Sequence, residues 1–293
     1  MNAVAAVARS AQGLVDSTRK RLKGIDLGDG LEWAARSGYG ARGFVFLSVG
    51  VLVLLAATDQ IGSATGSSGA AGWLSGQPLG RLWLVLLGLG LWAFVAWRFI
   101  QSVFDADHEG RDWRGLMSRA GQALSGIFYG LIGATVFEYL DEYGPRPEAE
   151  DAAENQQKAA QLLDLPFGQW LLLLVGLAIL ALAIGNIVRA MRDDFTSSLA
   201  CSEDVCRRVA PLARIGYAAR GFAYLPLAAF VVLAGLRESS EPVTSFGGAL
   251  NALEAQPGGS IMLGLTAVGL TAFGAFAFVE ARWRRIRPPK ELT

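Results

Sequence analysis

Few side chains in this sequence could do chemistry, and those that could are mostly cations at repeated positions. Arg42, Ser125 and Arg220 occupy equivalent places in three copies of one motif, "ARSGYGARGF" at 35–44, "SRAGQALSGI" at 118–127 and "ARIGYAARGF" at 213–222. Two guanidiniums and a hydroxyl at one level of a helical bundle could ring the mouth of an axial pathway and attract anions or shut out cations. Long cations near helix ends also reach lipid phosphate at little cost, so the same residues could be lipid anchors instead.

Other chemistry is sparse. His108 lies in the charged loop "DADHEGRDW" beside Asp105, Asp107 and Glu109, but no second His or Cys stands at zinc spacing, so no metal is expected. Cys201 and Cys206 form C-x4-C in a loop assigned below to the cytosol, where thiols stay reduced, so a structural disulfide is not expected. The glycines follow no strand and make no nucleotide fingerprint, and no nucleophile with a base can be named. The chain is therefore expected to be no enzyme and to need no cofactor. The basic "RWRRIR" and "RPPK" near the C-terminus suit anionic lipid rather than nucleic acid. Glu138 and Glu280 end hydrophobic runs and are expected at the interface, while Asn186, deeper in its run, could hydrogen-bond across helices. With no carboxylate near mid-membrane, a proton-coupled carrier is disfavoured.

The elements that must position these residues are membrane helices. Of 293 residues, 52% are hydrophobic and only 18% charged, and the mean hydropathy is positive. Six apolar runs, roughly 38–58, 79–100, 119–140, 168–189, 217–236 and 260–281, reach the length of about 20 residues needed to cross a bilayer. They are continuously apolar, unlike barrel strands, which alternate. Of the 26 Lys and Arg, all but Arg81, Arg146, Lys158 and Arg237 fall on one side of this arrangement. The positive-inside rule then puts both termini in the cytoplasm of a multi-pass protein of the cell (inner) membrane. "AVAAVA" is too short for a signal peptide and precedes its basic run, so the N-terminus is expected to be retained.

The motif copies open the first, third and fifth runs. Arg36, Arg119 and Arg214 correspond at offsets of 83 and 95 residues. The second helices also match: Leu74, Leu162 and Leu253 each stand four residues before Pro78, Pro166 and Pro257, and Gly80, Gly168 and Gly259 stand two after. Each unit reads as helix, outer loop, short helical turn, Pro, helix. A unit with two crossings returns to its starting side, so the repeats are parallel. The expected fold is all-α, with six transmembrane helices as three parallel two-helix repeats and approximate pseudo-threefold symmetry. Its divisions are an arm at 1–30, read as an amphipathic helix or a disordered tail, repeats at 31–105, 114–192 and 208–285, and a tail at 286–293. The acidic stretch 145–165 is long enough for one surface helix.

Within each copy, Tyr39, Gly43, Phe46 and Gly50 share a helical face, as do Gln122, Gly126, Tyr129 and Gly133, and Tyr217, Gly221, Tyr224 and Ala228. Small residues on such a face let backbones approach in lipid, so a packing stripe or a ligand-lined groove follows, with Tyr39 and Tyr217 suited to the interface. Three copies of R-x-G-Y-x-A-R-G-F, each opening a helix pair, resemble the bacterial membrane family of domain of unknown function 1206 over roughly 31–285; the middle copy departs with Gln122 and Ser125. The resemblance implies a bacterial inner-membrane protein with six crossings and no established activity. Tight glycine packing and small loops point to a structural or stress-associated membrane protein that organises lipid or partners. A channel along the pseudo-axis is the alternative, and a lipid-modifying enzyme the weakest reading. The expected partners are the bilayer and, at the cytoplasmic face, anionic lipids.

Overall fold

The computed structural model describes residues 27–140, 147–192 and 195–287. The arm at 1–30 falls almost wholly outside them, as do residues 288–293. Six helices long and apolar enough to cross a membrane are present: α1 (Leu27–Ala57), α3 (Gly80–Phe104), α4 (Trp113–Glu138), α6 (Gly168–Arg192), α7 (Glu203–Arg237) and α9 (Gly259–Trp283). Three short helices, α2 (Ser67–Ser75), α5 (Glu148–Leu163) and α8 (Phe246–Glu254), lie between the members of each pair. α1 and α7 run on beyond their apolar stretches at the basic end, through the motif and the residues before it, despite the glycines of α1 and Pro211 of α7 there. Among the described residues the only strand-like pairing is an isolated bridge between Leu199 and Arg284.

Each unit turns into its second helix the same way. Leu79, Phe167 and Gly258, the residues after the three prolines, all take the left-handed conformation, with φ of 60°, 64° and 75°. The amide of the next residue bonds the carbonyl of Gln77, Leu165 or Gln256 at 2.8 Å. That residue is glycine each time because a Cβ there would run into the carbonyl oxygens that end the short helix, nearest those of Ser75, Leu162 and Glu254.

The closest helix pairs join neighbouring units. α3 of the first unit packs on α4 of the second, α6 of the second on α7 of the third, and α9 of the third on α1 of the first, so the units close cyclically. Within the first and third units the two crossings also touch, at Gly38 against the backbone of Phe94 and Gly216 against that of Phe273. In the middle unit α4 and α6 scarcely meet, and Gly121, the counterpart of Gly38 and Gly216, has nothing near it. The bundle is a pseudo-threefold ring with one open seam.

At the end away from the basic residues, the short helices are tied together. Asn251 exchanges hydrogen bonds with the backbone of Ala64, at 2.8 and 3.3 Å. Glu148 on α5 and Ser245 both accept from Gly248 N–H, at 2.8 and 2.9 Å, capping α8. Burial pushes the Glu148 carboxyl up to about 7, against the opposing pull of the Gly248 hydrogen bond.

Candidate functional site: buried arginines at the basic end

The motif's two arginines do different work. Arg36 donates to the carbonyls of Ala281 and Arg282 at the end of α9, both at 2.9 Å, and Arg119 to those of Ser102 and Val103 at the end of α3, at 2.7 and 3.0 Å. Counted from each unit's proline these are the same two positions. The first arginine therefore satisfies the free carbonyls of the neighbouring unit's helix terminus, where a cation is also favoured by the helix dipole.

The second arginine turns inward. Arg42 and Arg220 are 1% and 5% exposed, and Ser125 is buried at the equivalent place on α4. Neither guanidinium reaches outward to lipid. Arg220 lies over the rings of Phe46, Tyr129 and Tyr224 at 4.9, 5.4 and 5.3 Å, the one repeat-equivalent aromatic from each unit. Its guanidinium thus sits on the pseudo-threefold axis, with Phe273 at 4.7 Å as a fourth wall and Tyr224 Oη accepting from Nε at 3.3 Å. Arg42 is caged by Tyr39, Phe94 and Phe273 and ion-pairs with Glu280.

Glu280 is therefore no interfacial residue. It is 2% exposed and also accepts from Arg284 at 2.8 Å. Arg284 reaches Asp107 at 3.3 Å, Asp107 accepts from Gln101 at 2.7 Å and from Gln122 at 3.3 Å, and Gln101 accepts from Arg98 at 3.1 Å. A continuous polar network thus runs from α3 through the α3–α4 connection to α9 and α1. Tyr39 and Tyr217, expected at the interface, are buried beneath it because Phe94, Phe195 and Phe273 enclose their rings. Asn186 bonds its own helix at Leu182 O, 2.6 Å, rather than a neighbour, since Ala183 and Ile187 beside it are the residues that meet α7.

His108 is exposed, with Asp105 turned to cap the backbone of Glu109 and Gly110 at 2.7 and 3.0 Å and Asp107 committed to the network. Cys201 and Cys206 form a disulfide, contrary to expectation: the turn into α7 brings their Cα atoms to 5.6 Å, within bridging range. Gly43, Gly126 and Gly221 all lie at the junctions between units, where an added Cβ would stand 3.0 Å from Gly274 O, 3.3 Å from Arg98 Cβ and 2.6 Å from Ala183 O. Gly50 and Gly133 meet Thr271 and Trp92 one level further along the same junctions.

The motif led to Arg42 and Arg220, but Arg98, Gln101 and Arg284 carried no comparable flag. Counting from the prolines supplies one: Gln101, Arg189 and Glu280 are the same position in the three second helices, a polar residue within an apolar run each time. Nearby, a cavity of about 430 Å³ opens at the basic end between Asp107 and Glu109 of the α3–α4 connection, Arg189 and Arg192 of α6, and Arg284 to Arg287.

The model of one family, Domain of Unknown Function (DUF1206), matches residues 37–105, 120–193 and 215–284. The chain belongs to this family. Each DUF1206 segment starts one residue after the motif's first arginine, Arg36, Arg119 or Arg214, and runs past Gln101, Arg189 or Glu280, so it spans both helices of a unit. Among curated proteins the chain is similar to the uncharacterized protein YxxB of Bacillus subtilis (strain 168), 29% identical over 255 residues, which cover 86% of this chain and 90% of that protein. No solved structure matches the chain.

Proposed function

We propose that this DUF1206 protein is a non-catalytic membrane protein that binds an anion at its basic end. One observation carries the reading: among the described residues, three buried guanidiniums, Arg42, Arg98 and Arg220, and the part-buried Arg284 share one network or its border with two carboxylates, Glu280 and Asp107. A guanidinium at membrane depth costs about 2.5–3.5 kcal/mol on insertion scales. A desolvated cation over an aromatic face regains about 2 kcal/mol. Four rings thus offset the burial of Arg220. Arg98 has only Phe94, at 5.0 Å and shared with Arg42, and Gln101, while its Nε is buried without a partner. An anion at the basic end, beside the network that Arg98 joins through Gln101, supplies the missing charge.

Packed rings at Phe46, Phe94, Tyr129 and Phe273 fill the middle of the bundle, which favours holding an anion over conducting one. A structural, lipid-organising or stress-associated role in the cell membrane accords with this reading. The test compares thermal unfolding of purified protein in inorganic phosphate and in chloride at equal ionic strength. Phosphate should raise the midpoint more than chloride, and Arg98→Gln should shrink the difference. Equal midpoints would sink the proposal. Selective anion flux in proteoliposomes that changes with Arg42→Gln and Arg220→Gln would replace it with a pathway along the axis.

A further inference from the structure

We infer that the anion is the phosphate of a phospholipid with a polyol headgroup, seated in the cavity at the basic end with its acyl chains in the seam between α4 and α6. This rests on the anion-binding reading and adds the ligand class and its route. The ring closes at every junction except one, because α4 leans on α3 and scarcely touches α6. The cavity at the basic end borders that gap on two sides, the α3–α4 connection leading into α4 and the end of α6, and is completed by the α6–α7 connection and the end of α9. A ligand that must be partly apolar has lateral access there from the bilayer, without passing the aromatic packing on the axis.

The wall chemistry is mixed in a way that free phosphate does not need. Arginines 284, 285 and 287 offer forked donors suited to phosphate oxygens. Glu109 and the hydroxyls of Ser197 and Ser198 add acceptors that headgroup hydroxyls could donate to. The volume of about 430 Å³ exceeds that of a bare phosphate and falls within the usual range for small-molecule sites.

The experiment uses the full chain in neutral detergent and three probes: phosphatidylglycerol, phosphatidylcholine and inorganic phosphate. Native mass spectrometry counts retained lipid and thermal unfolding reports stabilisation. Phosphatidylglycerol should give one retained adduct and half-saturate at a concentration at least about tenfold below inorganic phosphate, with phosphatidylcholine inactive. The double variant Arg285→Gln/Arg287→Gln, at exposed positions on the rim, should weaken phosphatidylglycerol about tenfold or more, the worth of one charge-assisted hydrogen bond. Arg81→Gln, at the opposite end of the bundle, should leave it unchanged. Phosphate and phosphatidylglycerol acting at equal concentration would overturn the lipid assignment and leave the anion site standing. No response to either would overturn both. Phosphatidylglycerol binding untouched by the rim substitutions, or matched by phosphatidylcholine, would place the lipid elsewhere and end this inference.

Discussion

Arg42 on α1 and Glu280 on α9 are 238 residues apart in sequence and form an ion pair sealed from both lipid and water. The pair joins the first unit to the third, and so closes the ring. Glu280→Leu should destabilise the bundle in detergent by about 3–5 kcal/mol, because it leaves the buried Arg42 guanidinium without its carboxylate, while Arg284 keeps Asp107. Adding Arg42→Met to that change should recover part of the loss. A double variant no more stable than Glu280→Leu would mean that the pair is not the relevant contact.

Arg220 invites the opposite expectation. It has no carboxylate partner among the described residues and its cage is aromatic, so Arg220→Met should keep the same rings in contact. The unfolding midpoint should change little or rise, by the logic that a well-packed apolar side chain replaces a buried charge at no net cost. A loss of about 3 kcal/mol or more would show a counter-charge on the axis.

The junction glycines should rank by what their Cβ would meet. Gly221→Ala is expected to cost most, since it confronts the Ala183 carbonyl, part of a rigid backbone, at 2.6 Å. Gly43→Ala should be intermediate, and Gly126→Ala mildest, because Arg98 Cβ at 3.3 Å need give by only tenths of an ångström. Gly121→Ala meets nothing and should be neutral or stabilise by up to about 1 kcal/mol through helix propensity. Unfolding midpoints in one detergent give the order.

Glu148 provides a pH test away from the membrane spans. Its folded carboxyl is raised to about 7, above the unfolded value of about 4.3. The folded state then holds the proton more tightly, so this group's contribution is fully present below about pH 4.3, is lost as pH rises towards 7, and is flat above. Glu148→Gln should flatten the stability profile across that window. An unchanged slope would assign the dependence to other groups.

Orientation is tested by labelling. With Cys201 and Cys206 replaced by Ser, Glu150→Cys on the exposed face of α5 should react with an impermeant thiol reagent from outside intact cells. Reaction only after lysis would invert the topology. The thiol state of Cys201 and Cys206 in the unsubstituted chain is a separate check, because a cytosolic loop would keep that pair reduced.

Six crossings, three parallel units, the Pro-Gly turn into each second helix and the glycine faces at Gly43, Gly126 and Gly221 were all legible along the chain. Apolar length and helical period are local properties, and a repeat can be compared with itself. The inward turn of Arg42 and Arg220, the pairing of Arg42 with Glu280 and the opening beside α4 were not. In lipid no hydrophobic force tells a helix which neighbour to choose; close backbone fit and polar contacts decide. Those depend on atoms far apart in sequence: Gly221 leaves room for the backbone of Ala183, whereas Gly121, a copy of Gly38 by register, has nothing against it. A cation near the start of an apolar run can serve lipid phosphate or a core with equal ease, and only the aromatic rings and the carboxylate that the third dimension brings to Arg42 and Arg220 turned them inward.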